Sequence, residues 1–200
     1  MGKSDFVRIA VDKSVISWKA GQGLAPTIQN DDKRRRDYEA IERLFELQEQ
    51  CRVVLVAVDT VDREARITSN DSERTKQLET LKLCKEKFNL TRFKKLTPSR
   101  RPATGKSGIN LGEGAYWVTE DNMRRIEEYI AIGQSSKDQA DLEVLATVAI
   151  AGVRRFMTVD YKLLDKNYIR EFAERKDGIS MYRPSEILKL IDTSSPELEG

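Results

Sequence analysis

Apolar residues in this chain gather in two ways: short unbroken runs, and longer stretches in which they recur every three or four positions. The two patterns alternate. FVRIAVD (6–12), RVVLVAVD (52–59) and VRRFMTVD (153–160) are mainly aliphatic and β-branched, and each ends on an acid. Such runs are too short for stable helices and predict buried strands, with ISMY (179–182) as a last, shorter one. Helical spacing covers 30–51, with Asn30 or Asp31 as N-cap and Tyr38, Ile41, Leu44, Phe45 and Leu47 on one face. Further helices are predicted from about residue 60, over 72–88, over 122–133, over 138–152 closed by Gly152, over 161–176, and from Pro184 through PSEILKLI.

Strands that read as continuous apolar runs separated by helices imply a parallel sheet covered on both faces. The expected fold class is therefore α/β, a three-layer α/β/α sandwich with a central, mainly parallel sheet of four to five strands. One domain over 1–191 is expected, with an irregular insertion at about 89–122 and an unstructured tail over 192–200. Within the insertion, INLGEGAYWVTED reads as a short strand or a loop.

In a sheet of this kind ligands bind beyond the carboxyl ends of the strands, where the topology switches direction. Asp12, Asp59 and Asp160 stand at three such ends. Neighbouring carboxylates repel unless a cation is shared, and oxygen donors of this kind suit Mg²⁺ or Mn²⁺. The plainer reading is that acids end strands because turns are polar.

Composition narrows the chemistry. The 200 residues include no histidine, which excludes imidazole bases, Ser-His-Asp and Cys-His nucleophile pairs, and histidine-ligated zinc. Cys51 and Cys84 are too few for a disulfide framework, which fits a reducing compartment. Lys and Arg number 35 against 33 Asp and Glu, so net charge alone names no partner. No apolar stretch is long enough for a membrane span and no leader-like core occurs near the start, so a cytoplasmic location is expected.

Charge distribution says more than the sum. TRFKKLTPSRRPATGKSG holds Arg92, Lys94, Lys95, Arg100, Arg101 and Lys106 without an acid, a candidate nucleic-acid-binding run in which Phe93 offers a stacking face. A solvated loop is the alternative. KRRR (33–36) reads first as the exposed side of a helix start. The segment ATGKSG is no phosphate-binding P-loop, since Arg100 stands where that motif needs a glycine and no apolar strand precedes it. A phosphatase of the haloacid dehalogenase type would need an acid where Ser14 stands.

AVDKSVI, an acid-bearing helix after the second aliphatic strand, ADLEVLATVAIAG, FMTVDYKLL and RPSEIL occur in that order. Together they resemble the PIN-domain family of metal-dependent ribonucleases, over 6–20, 38–66 and 135–191, while 68–134 matches nothing. The resemblance implies Asp12 as first acid with the hydroxyl of Ser14 beside it, Asp141 in the first turn of its helix, and Asp160 after the last long strand with Thr158 two residues earlier. It places the second acid inside the helix after strand two, where Asp62 and Glu64 both lie. Glu64 is preferred because it flanks the apolar Val61–Ala65 face, although Ala65 replaces the leucine usual in the family. Asp138 either joins the site or caps its helix, and capping is preferred. A metal-dependent endoribonuclease holding Mg²⁺ or Mn²⁺ is the function implied, with RNA as substrate and an antitoxin, another protein or a second copy as possible partners. The rival is a PIN-like binding or scaffold module with little activity.

Overall fold

The computed structural model describes residues 7–91, 115–117 and 119–194. Six strands are present: β1 (Val7–Val11), β2 (Val53–Val58), β3 (Glu86–Thr91), β4 (Ala115–Trp117), β5 (Arg155–Met157) and β6 (Ser180–Tyr182). Every pairing is parallel, in the order β4-β3-β2-β1-β5-β6. Five strands from β3 to β6 form the body of the sheet, and the three-residue β4 extends it at the β3 edge. Ile9, Ala10 and Val11 are consecutive and all wholly buried. Successive residues of a strand point to opposite faces, so β1 is covered on both, as an all-parallel sheet requires.

The covering helices are α1 (Lys13–Lys19), α2 (Pro26–Gln29), α3 (Asp32–Glu49), α4 (Asp59–Arg66), α5 (Asp71–Leu83), α6 (Glu120–Ala131), α7 (Ser136–Ile150), α8 (Tyr161–Leu164), α9 (Asn167–Asp177) and α10 (Pro184–Ser194). Helix α3 packs with α10, while α7 packs with α6, α9 and α4. Ile41, Leu44 and Leu47 of α3 and Leu142, Leu145 and Val148 of α7 join β1, β2 and β5 in one buried cluster. The α/β class and three-layer sandwich are those expected. No helix among the described residues is long and apolar enough to cross a membrane.

Several boundaries differ from the sequence pattern, each for a local reason. The helix expected over 72–88 stops at Leu83, and β3 begins at Glu86. Buried Gln48 interrupts it: its Nε2 donates to Leu83 O at 2.8 Å and its Oε1 accepts from Lys85 N at 3.0 Å and Leu55 N at 3.0 Å. Phe88 is then buried in the sheet. Helix α1 begins directly after β1 because Asp12 caps it, accepting from Lys13 N at 2.7 Å. The 161–176 helix is two, broken at Asp165 and Lys166, and α7 starts at Ser136, earlier than the expected 138. Gly152 follows α7 with φ +66°, the left-handed turn for which glycine is suited. Helix α10 continues to Ser194, past the expected start of the tail.

One acid holds three helices together. Asp37 on α3 is wholly buried, and its carboxylate accepts from the Tyr161 hydroxyl at 2.6 Å, Ser185 N at 3.2 Å and the Ser185 hydroxyl at 2.5 Å. Tyr161 opens α8 and Ser185 lies in the first turn of α10. Asp37→Ala leaves these half-buried donors without their acceptor and removes a buried charge network, and should lower the unfolding free energy by about 2–3 kcal/mol in urea titrations. Glu46→Ala, which removes an exposed ion pair with Arg43 at 2.8 Å, should change it by less than about 0.5 kcal/mol. Equal effects from the two would show that the Asp37 network does not secure α8 and α10.

Candidate metal centre

The sheet order makes β1 the pivot of the fold. From β1 the chain builds outward through β2, β3 and β4, then returns to place β5 and β6 on the other side. The β1–β5 seam is thus the topological switch point, and Asp12 and Asp160 follow its two strands. Asp12 N donates to Met157 O at 3.0 Å, closing the seam just beyond the last paired residues.

Two hydroxyls fix the Asp12 carboxylate. Oδ2 accepts from Ser14 Oγ at 2.5 Å and from Thr158 Oγ1 at 2.7 Å. Each hydroxyl also accepts a backbone donor from the segment after β5: Val159 N to Ser14 Oγ at 3.2 Å, across the seam, and Asp160 N to Thr158 Oγ1 at 3.0 Å, within the segment. Thr158 is wholly buried, so this stitch is rigid. Asp160 itself caps α8, accepting from Leu163 N at 3.1 Å, and pairs with Lys137 at 2.9 Å. Burial raises its pKa, but the Lys137 ammonium and backbone donors outweigh that and hold it below the ordinary aspartate value.

Two further acids approach from helices. Glu64 on α4 is pushed up to about 7, first by burial and then by the negative charges of Asp12, Asp141 and Glu143, against an opposing effect of Lys13. Asp141 on α7 is raised to about 6 by burial, with Lys166 opposing and Asp12 and Asp160 adding to the rise. At this rim Glu64 thus feels the charges of Asp12 and Asp141, and Asp141 those of Asp12 and Asp160. Asp141 Oδ2 is buried without a hydrogen-bond donor, and its near cation is Lys166 Nζ at 3.5 Å.

The structure separates the acids that sequence spacing left together. Asp62 pairs with Arg66 at 2.5 Å, while Glu64 is half-buried and lines a cavity with Ala140 and Glu143 of α7. Asp138 is buried in a hydrogen-bonded set of its own, accepting from Lys166 Nζ at 2.7 Å, the Tyr168 hydroxyl at 2.5 Å, Ser135 Oγ at 2.8 Å and Gln134 N at 3.1 Å. These donors hold its pKa well below the usual carboxylate range, Lys166 most strongly. Ser135, not Asp138, is the N-cap of α7, accepting from Asp138 N at 3.2 Å, while the Asp138 carboxylate reaches back to Gln134 N and the Ser135 hydroxyl. The earlier helix start puts Asp141 in the second turn, not the first. Asp59 sits in the first turn of α4, 3.9 Å from Arg63. Arg92, Lys94, Lys95, Arg100, Arg101 and Lys106 lie outside the described residues.

Lys137 and Lys166 are the members of the site that pattern reading did not single out. Lys137 precedes Asp141 by one helical turn, a spacing that signals a shared face, but Lys166 arrives from the break between α8 and α9 and leaves no local signal. With these ammonium groups in place, no three acids among the described residues converge to hold an ion as the side chains stand. The chemistry of the donor set nonetheless fits a hard cation: hydroxyl-anchored Asp12, mutually repelling Glu64 and Asp141, and a buried carboxylate oxygen without a donor. No family model, no curated protein and no solved structure matches the chain.

The raised Glu64 value has a definite sign for stability. Between its ordinary 4.5 and about 7 the native state binds more protons than the unfolded chain, so this carboxylate's contribution falls as pH rises through that window. Without divalent ions, Glu64→Gln should therefore melt higher than the parent at pH 8, by about 2–4 °C, the response of a domain this size to about 1 kcal/mol. That is well under the full shift, because solvent still reaches Glu64 and screens it. The gap should close toward pH 5, where the parent glutamate is protonated. Coincident melting curves at pH 8 would mean that the rim acids do not repel one another.

Proposed function

We propose that this chain is a PIN-like, divalent-metal-dependent endoribonuclease, with Asp12, Glu64, Asp141 and Asp160 holding Mg²⁺ or Mn²⁺ at the β1–β5 seam. The observation that supports the reading is the hydroxyl-anchored Asp12 at the β1–β5 switch point, with Asp141 Oδ2 buried nearby and met only by Lys166 Nζ at 3.5 Å. Resemblance of the sequence to PIN nucleases supplies RNA as the substrate. Such an ion, when bound, lowers the pKa of a coordinated water and offsets charge on the phosphoryl oxygens.

The protein's own groups have separable tasks. Ser14 and Thr158 hold Asp12 in one orientation. Glu64, pushed up to about 7, would hold an ion only after losing its proton, so ion affinity should rise with pH up to about 7 and then level. Lys137 and Lys166 balance Asp160 and Asp141 until then. The absence of histidine agrees with a hydrolysis that needs no imidazole base.

A second reading draws on the same lysines. If the ammonium groups are permanent counter-ions, the rim is a neutralised, structural network and the chain is a binding or scaffold module. Incubation of single-stranded RNA with the protein and Mn²⁺ separates the two. Cleavage is expected, and Asp12→Asn should slow it by on the order of 100-fold while leaving the fold intact. Millimolar Mg²⁺ or Mn²⁺ should also raise the melting temperature of the parent more than that of Asp12→Asn. RNA left whole with every divalent ion, together with no thermal shift, would sink the nuclease reading in favour of the binding module.

A further inference from the structure

A groove of about 440 Å³ adjoins the acidic rim on the side of α1, α2 and α8. Ser14, Val159 and Asp160 form its inner end, so it is continuous with the candidate metal centre. Trp18 walls it from α1, and Tyr161 from α8. Arg34, Lys137 and Lys162 bring three cations to a lining whose one carboxylate, Asp160, pairs with Lys137, while Arg34 pairs with Asp31 at 3.5 Å.

The walls are not equivalent. The Tyr161 hydroxyl is committed to buried Asp37, and its ring carries Lys33 Nζ at 4.5 Å and the Arg34 guanidinium at 5.9 Å. That side is a cationic wall held on an aromatic base. Trp18 is half-buried and gives the groove an aromatic surface. An aromatic platform beside exposed cations is the combination that binds single-stranded nucleic acid, the ring stacking a base and the cations meeting its phosphates. The volume lies in the range of sites that enclose a small molecule. A base reaches such a groove only when unpaired, since pairing keeps it inside the helical stack.

We propose that this groove seats one unpaired nucleotide next to the phosphate at the acidic rim, its base against Trp18 and its flanking phosphates on Arg34, Lys137 and Lys162. The assignment deepens the nuclease reading and rests on it for the nature of the ligand. It makes the substrate a single strand, and sets on which side of the rim the strand runs. Lys33 and Arg34 of KRRR then serve the groove, where the bare sequence reads as an exposed helix start.

The test uses the full chain in EDTA, so that binding is read without cleavage. A fluorescein-labelled single-stranded RNA 16-mer and its blunt duplex are titrated by anisotropy. A Trp117→Phe variant leaves Trp18 as the only tryptophan and reports stacking by its fluorescence. The single strand should quench Trp18 saturably, while the duplex should bind at least 10-fold more weakly and leave the signal unchanged. Three phosphate contacts predict that log affinity falls against log salt with a slope of about −2, and that the Arg34→Glu/Lys162→Glu double variant makes it shallower. That variant should lose at least 10-fold in affinity. Equal binding by strand and duplex, or parent-like affinity in the double variant, would overturn the groove assignment even if metal-dependent cleavage is found. Quenching and salt dependence as described, with no cleavage under any divalent ion, would support the groove and remove the nuclease reading. If Trp117→Phe fails to fold, the anisotropy comparison on the parent and double variant decides alone.

Discussion

The acidic rim depends on one carboxylate oxygen accepting two hydroxyls from opposite sides of a strand seam. Asp12 Oδ2 takes Ser14 from the β1 side and Thr158 from the β5 side. Each hydroxyl in turn captures an amide of the segment leading to Asp160. The switch point of a parallel sheet leaves a crevice between diverging connections. Here the crevice is stitched at its base, which fixes the separation of the two strand-end acids before any ligand is considered. Charge at the rim is thus a property of the fold's topology, carried by side chains too short to move away.

Holding acids together in this way works against stability, and the protein's response differs from acid to acid. Asp138 is buried and satisfied by four donors, so its charge is retained. Asp37, on the far side of α8, is likewise satisfied. Glu64 and Asp141 are only partly compensated, and both are raised toward neutrality. A network built for stability alone would be expected to satisfy its buried acids, because a buried oxygen without a donor costs more than a hydrogen bond returns. The contrast within one protein between satisfied and unsatisfied acids is what distinguishes the rim from ordinary turn polarity.

The layer architecture was legible in the sequence because strand and helix periods differ, and because apolar runs such as VVLVAV have no other stable home than a sheet covered twice. The strand-end aspartates were legible for the same reason. What local pattern could not carry was anything set by a partner distant in the chain. Gln48 ends α5 from 35 residues away. Lys166 reaches Asp138 across 28 residues, and Asp37 finds Ser185 across 148. Asp62 and Glu64 illustrate the limit: both are acids two positions apart on a short helix, and only the placement of α4 against α7 and the Arg66 partner gives them different surroundings.

Helix α8 joins these separate parts. In three successive residues it supplies Asp160 as its own cap and a rim acid, Tyr161 as the ring under Lys33 and Arg34, and Lys162 at the groove. A helix of four residues has little stability of its own, since nucleation costs more than so few hydrogen bonds return. Its position is imposed from below by the Tyr161–Asp37 bond and at its start by Thr158. The acid at the rim and Lys162 at the groove are therefore placed by the same two anchors. Displacing either anchor would move Asp160 and Lys162 together, which couples the inner end of the groove to its outer cation without any moving part.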